Sequence, residues 1–299
     1  MSARLLILCP GQGGQHAGMF DLARTDARAS RFLDSCQAKV DPDTMFENRV
    51  AQPAIVAASL AVWEALRERI EAPSLAAGYS IGELAAYGVA GALAPEDAVA
   101  LAALRAGLME AAAQSNPGQA MAAIGGLAPG RASELARHHG FAVAIVTGGD
   151  SCIVGGLQDA LQALETAIQC AGGRYQRLPV AVASHTPLMA SAVAPFASAL
   201  QAAPFLTQRC PVLAGIDASR VYGKQLAADT LSRQLAQTIE WAGCMDAADE
   251  AGITVALELG PGAALSRMLQ GRHPHIACRS ASDFRSIDGI AAWLEHELG

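Results

Sequence analysis

A serine set in Gly78-Tyr79-Ser80-Ile81-Gly82 has the G-x-S-x-G spacing of a nucleophile elbow, in which a tight strand-to-helix turn lifts the hydroxyl clear of its surroundings. The glycines let neighbouring backbone approach, and the N-terminus of the following helix stabilises negative charge beside the hydroxyl. Such a hydroxyl must lose its proton as it attacks, so a base is required. Seven histidines are available. His16 falls in a glycine-rich loop, His138 and His139 at a helix end, and His273, His275 and His296 in the polar C-terminal region. His185 differs. It lies within a stretch from Leu178 to Gln208 that has no Asp, Glu, Lys or Arg, at the end of a strand expected over 174–184. Thr186-Pro187 then supply an N-cap and first helical position. On the residues alone His185 is either the base or a buried histidine bonded to backbone.

Arg105 is the most informative charge. On a helix its neighbours three and four positions away are Leu101, Ala102, Leu108 and Met109, all apolar. A guanidinium on an apolar face needs a partner, either in an internal salt bridge or as a bidentate clamp for a substrate carboxylate. The loop Gly11-Gln12-Gly13-Gly14-Gln15 lacks the third glycine of G-x-G-x-x-G and any Gly-Lys-Ser/Thr, which disfavours a nucleotide site. Its better use is an oxyanion donor: the N–H of Ile81, next to the nucleophile, needs a companion, and Gln12 can supply one. Glu83 reads as a first-turn acid complementing the helix dipole.

These residues must be delivered by alternating strands and helices. Residues 4–9 and 75–78 read as short buried strands, Pro53 to Ile70 as a helix, and Pro95-Glu96-Asp97 as the start of a helix reaching about Gln114. Late in the chain, 254–259 is strand-like and runs into Gly260-Pro261-Gly262. Between them lies a segment of different rhythm, read as strand 121–126, helix 131–139, strands 141–147 and 151–156, helix 158–171 and strand 174–184. This is the βαββαβ order of a ferredoxin-like unit. The expectation is an α/β protein: a large unit (1–120 and 186–299) with a mostly parallel sheet flanked by helices, hydrolase-like, and an inserted ferredoxin-like subdomain over 121–185.

Composition agrees with a buried, two-unit chain. At roughly 150 residues per domain, 299 residues suggest about two units. Charged residues are 16% against about 25% in typical domains, and the net charge is −7 with no basic run, which excludes disorder and argues against a nucleic-acid partner. The mean hydropathy of +0.26 raises a membrane reading. Four prolines within 178–208 argue against a span, and no export signal is visible. Seven scattered cysteines without a C-x-x-C pair indicate neither a zinc site nor a disulfide framework, so a cytoplasmic protein with no metal is expected.

Taken together, GYSIGE at Ser80, PGQGGQ at Gln12, LRAGLM at Arg105, ASHTPLM at His185 and the late ELGPG resemble the malonyl-CoA:acyl-carrier-protein transacylase family over nearly the whole chain. QLAQTIEW (234–241) resembles that family's Gln-Leu…Trp segment. The wording GYSIGELAAYGVAG with CPGQGGQ is similar to the malonyl transferase (epsilon) subunit of bacterial malonate decarboxylases. The resemblance implies a Ser80–His185 dyad, a backbone carbonyl near Gly260-Pro261-Gly262 orienting the imidazole, Arg105 on the malonyl carboxylate, and Gln12 and Ile81 as oxyanion donors. It implies malonyl-CoA as donor and an acyl-carrier protein, with its phosphopantetheine-type arm, as acceptor. No cofactor is implied, and other malonate decarboxylase subunits are candidate partners. Departures are Tyr79 where the family usually has His, Thr147-Gly148-Gly149-Asp150-Ser151 in place of an Asn-x-x-Pro-x-Gln-like segment, and Val182-Ala183-Ser184, which resembles some methylmalonyl-selective relatives. Other readings are the malonyl transacylase of fatty-acid synthesis, an α/β-hydrolase completed by His273, and a non-catalytic carrier-docking subunit.

Overall fold

A computed structural model describes residues 3–299. In chain order the strands are β1 (Leu5–Cys9), β2 (Leu75–Gly78), β3 (Gln119–Gly125), β4 (Ala142–Val146), β5 (Ser151–Leu157) and β6 (Arg174–Leu178). They continue with β7 (Val212–Leu213), β8 (Arg220–Val221), β9 (Ile239–Glu240), β10 (Val255–Glu258) and β11 (Ala277–Ser280). One sheet has the order β11-β10-β1-β2-β7-β8 and is parallel except at its β7–β8 edge. β1, Leu-Leu-Ile-Leu-Cys, is buried at every position, as a continuous apolar run must be in a parallel sheet covered on both sides. Its alternation divides two cores. Leu5, Ile7 and Cys9 pack with the helices Asn48–Leu66 and Gly82–Val89, while Leu6 and Leu8 join Trp241, Leu265 and Leu269 on the opposite face.

The second sheet runs β6-β3-β5-β4-β9. Its first four strands are antiparallel, and the helices Pro129–His138 and Leu161–Cys170 contribute to a separate core with Ile124, Phe141 and Val154. The α/β class with an inserted ferredoxin-like unit is therefore what the chain forms. β9 adds a fifth strand, parallel to β4. It comes from a segment ninety-odd residues later in the sequence, and local order could not announce it.

Three expectations of local structure are corrected. The strand expected over 174–184 stops at Leu178, because Pro179 has no N–H to continue a ladder. Residues 179–186 form a loop, and Thr186 Oγ1 donates to Ala183 O (2.7 Å) instead of capping a helix; a three-residue turn, Pro187–Met189, precedes the helix Ala190–Ala202. The helix expected from Pro53 to Ile70 runs instead from Asn48 to Leu66, with Pro53 inside it near the N-terminal end. That earlier start puts Gln52 on the helix and into the interior. Among the described residues, no helix is long and apolar enough to cross a membrane.

Candidate active site

β1 and β2 pair up to Cys9 and Gly78, and Tyr79 N–H donates to Cys9 O at 2.9 Å, so the elbow and the Gln12 loop leave the sheet side by side. Gly82 is packed so tightly under the elbow that a Cβ there would run into the Cys9 and Pro10 carbonyls. Ser80 itself has φ +56°, the left-handed region, at a cost on the order of 1–3 kcal/mol that the surrounding packing imposes. Tyr79, where the family usually has His, packs edge-on against Trp241 with ring centroids 5.3 Å apart.

His185 also has a positive φ, +62°, and is buried. Its Nε2 lies 2.8 Å from Ser80 Oγ, and its Nδ1 lies 2.6 Å from the Gln234 backbone carbonyl. A carbonyl only accepts, so Nδ1 carries the proton and Nε2 is the free base facing the hydroxyl. Gln234 follows the helix Lys224–Arg233 as its C-cap, which leaves its carbonyl outside the helical ladder and available to the imidazole. The orienting carbonyl is thus Gln234, not one near Gly260-Pro261-Gly262. The late motif has another place: Ser59 Oγ donates to Gly260 O at 2.9 Å, and a Cβ on Gly14 would sit 2.5 Å from Pro261 O, so it buttresses the Gln12 loop.

Burial, and then the nearby Arg105 charge, pull the His185 imidazole down to about 3, against the weaker opposing effect of its bond to Gln234. The ring therefore stays neutral through the physiological range. The acid limb of the acylation rate is expected well below the ordinary histidine value of about 6.5. A kcat/KM profile from roughly pH 4.5 to 8, which brackets the ordinary value, checks this by staying flat on its acid side; a limb centred near the ordinary value would show a solvated ring. The sign for stability is the same. An unfolded imidazole takes up a proton that the folded one refuses, so this residue's contribution is present above the unfolded value and is lost as pH falls toward the folded one.

Arg105, on the helix Pro95–Ser115, is 2% exposed. Its Nη1 donates to Gln52 Oε1 (2.7 Å), and its Nη2 reaches Ser80 Oγ (3.4 Å) and Gln234 Oε1 (3.5 Å). No carboxylate among the described residues lies within salt-bridge distance of it. Gln52 is locked in turn, since its Nε2 donates to Asn48 Oδ1 at 2.6 Å. The acid that acts on it is Glu83, fully buried, whose Oε2 accepts from Gly215 N (2.9 Å) and from the Gln234 side-chain amide. Burial lowers the arginine to about 10 and raises the Glu83 carboxyl to about 8. A hydroxyl, an imidazole and a guanidinium thus converge in a dry corner, an arrangement suited to attack on a carbonyl whose acyl group ends in an anion.

Ile81 precedes the helix Gly82–Val89 as its N-cap, and among the described residues neither its N–H nor that of Gln12 donates to a protein acceptor. Gln15 steadies the loop, accepting from Gly13 N at 2.6 Å and donating to Met45 O at 3.3 Å. A cavity of about 820 Å³ opens here, with Gln12, Phe46, Asn48, Pro117 and Val182 in its walls. His273 is elsewhere, its Nε2 on Asp246 Oδ1 at 3.0 Å, so the hydrolase order has no imidazole at Ser80. Sequence reasoning passed over Gln52 and Gln234 and gave Glu83 only a dipole role. The signal for Gln234 was its place at the head of QLAQTIEW.

An α/β acyltransferase is the class that this sheet, its elbow and the inserted unit define. The acyl transferase domain family matches residues 7–284, and the chain belongs to that family. The malonyl CoA-acyl carrier protein transacylase of Mycobacterium bovis is 30% identical over 96% of this chain and 99% of its own. Among solved structures, the transacylase from Coxiella burnetii superposes with a TM-score of 0.92 at 23% identity, covering 100% of this chain and 99% of that one, a likeness of fold. A malonyl-transacylase in complex with a type II polyketide-synthase acyl-carrier protein has a TM-score of 0.88 at 26% identity, covering 97% and 99%.

Proposed function

We propose that this chain moves a malonyl group from malonyl-CoA to the thiol on the phosphopantetheine-type arm of an acyl-carrier protein, through a malonyl ester on Ser80. His185 Nε2 takes the hydroxyl proton as Ser80 Oγ bonds to the thioester carbonyl carbon, the Gln12 and Ile81 N–H groups hold the oxyanion, and the C–S bond breaks with the proton passing to the departing thiolate. The carrier thiol then reverses these steps. The thioester is itself the activated acyl donor, so the reading calls for no cofactor. The seven free cysteines support a reducing, cytoplasmic setting.

The observation that carries the malonyl assignment is Arg105: buried, 3.4 Å from Ser80 Oγ and, among the described residues, bonded only to neutral side chains. One methylene separates the malonyl carboxylate from the ester carbonyl, which brings it within reach of a guanidinium touching Oγ. Charge-assisted bonds contribute about 1.5–3 kcal/mol, a preference for malonyl over acetyl of roughly ten- to a hundredfold. Arg105→Ala is expected to remove most of that preference, with acetyl transfer holding or rising as malonyl transfer falls. Arg105→Lys should restore part, because it keeps the charge and loses the fork. The measurement is kcat/KM for both thioesters; an unchanged ratio in Arg105→Ala would assign the arginine a structural role.

As to setting, the free-standing malonyl transacylase of fatty-acid or polyketide synthesis has more support than a malonate decarboxylase subunit. The Mycobacterium bovis relative is a malonyl CoA-acyl carrier protein transacylase matched over nearly its full length, and the solved complex holds a type II polyketide carrier. The decarboxylase reading rests on the wording around Ser80 and Gln12 alone. Rates of malonyl transfer to a fatty-acid carrier and to a decarboxylase carrier subunit, compared side by side, separate the two.

A further inference from the structure

Gln234 meets three groups of the site: its carbonyl meets His185 Nδ1, its side-chain oxygen faces Arg105 Nη2, and its side-chain nitrogen donates to Glu83 Oε2. We propose that Glu83 is a positioning residue for the serine–histidine pair, acting through Gln234: its Oε2 clasps the Gln234 amide and the Gly215 N–H and so fixes the carbonyl that orients His185. This inference rests on the Ser80–His185 reading above.

Geometry supports it at four points. Glu83 is fully buried, so its carboxyl has no water to turn to and its orientation is set by the two donors. Those donors come from separate parts of the chain, the segment after β7 and the end of the Lys224–Arg233 helix, which Glu83 therefore ties together. The Gln234 amide can satisfy Glu83 and Arg105 together only with its nitrogen toward the acid and its oxygen toward the guanidinium, so it bridges two side chains that do not meet directly. Finally, Glu83 N–H donates to Ser80 O at 3.1 Å, which closes a circuit from serine to imidazole to Gln234 to Glu83 and back through the main chain. Displacing any one member should move the others.

Among the described residues Glu83 Oε1 has no hydrogen-bond partner, and burial pushes this carboxyl up to about 8. Oε1 is the position left free for a proton when the carboxyl is neutral, and a glutamine amide keeps that shape with the acceptor oxygen retained. The experiment uses this. Labelling of Ser80 by a serine-directed phosphonofluoridate, followed by intact-protein mass spectrometry, reads nucleophile and base without involving the carboxylate clamp. Residues in one hydrogen-bond network couple by a few-fold to about a hundredfold, so Glu83→Met, which removes the acceptor at similar length, is expected to slow labelling by roughly ten- to a hundredfold. Glu83→Gln should restore most of the rate. Gln234→Ala should slow labelling in the same direction, and Glu83→Met combined with Gln234→Ala should be no slower than the slower single variant. The proposal is overturned if folded Glu83→Gln is as slow as Glu83→Met, or if the two losses multiply. Should Glu83→Met fail to fold, Gln234→Ala decides alone, and labelling at the wild-type rate overturns it. Ser80→Ala is the control: labelling that survives in it means that the nucleophile reading is wrong, a different failure from this one.

Discussion

Ser80→Ala is expected to erase the covalent acyl adduct and to lower malonyl transfer by roughly 10⁴-fold or more, the scale seen when a nucleophile is removed from a site that keeps its other parts. The loss follows from position. Ser80 is the hydroxyl at the end of β2, held at φ +56° with its Oγ 2.8 Å from a neutral imidazole nitrogen. Alanine tolerates the same backbone about as well as serine does, so the fold should hold and the defect should be chemical. Incubation with malonyl-CoA and intact-protein mass spectrometry should show one added malonyl group in the wild type and none in the variant. Steady-state kinetics with donor and carrier should be ping-pong, because the ester releases coenzyme A before the second thiol reacts. An adduct that persists in Ser80→Ala would place the nucleophile elsewhere.

His185→Ala is expected to slow acylation and deacylation alike, each by several orders of magnitude, on the order of 10³-fold or more. Both steps use the same imidazole, first as base toward Ser80 and then toward the carrier thiol. Nucleophile and base act as one unit, so the double variant with Ser80→Ala should be little worse than either single one. Removing the ring also leaves the Gln234 carbonyl buried without its donor, at about 1–3 kcal/mol of stability. Single-turnover acylation and chase with a carrier thiol measure the two steps separately. His273→Ala, which removes a ring that bonds to Asp246 and lies 3.5 Å from Asp249, should turn over normally. A crippled His273→Ala beside a working His185→Ala would restore the hydrolase-like order.

The parts of this molecule that local chemistry writes into the chain are legible in the sequence itself. The G-x-S-x-G elbow needs its glycines because backbone crowds the turn, and Gly82 indeed sits against the Cys9 and Pro10 carbonyls. The all-apolar run of β1, ending at Pro10-Gly11, suits a buried strand, and a buried strand is what it forms. Pro95 with two acids behind it could only open a helix, and on that helix Arg105 had to face apolar neighbours. The βαββαβ rhythm of the inserted unit is likewise a matter of periodicity and turns.

Relations between distant segments were decided by the tertiary structure. β9 joins β4 from far along the chain, and the imidazole takes its orientation from Gln234, because a helix happens to end there with a carbonyl to spare. Gly260-Pro261-Gly262 carries a sequence signature as clear as any, yet it serves the Gln12 loop and not the base. Glu83 shows the division most plainly. A glutamate in a helix's first turn reads as a solvated partner of the helix dipole, and sequence spacing contains nothing to say otherwise. Only the packing of β7's following loop and the Lys224–Arg233 helix over it excludes water, and once water is gone the carboxyl must be satisfied by Gly215 and Gln234. Spacing along a chain records which groups share a turn or a face, whereas desolvation and hydrogen-bond partnership are properties of what the rest of the chain folds over them.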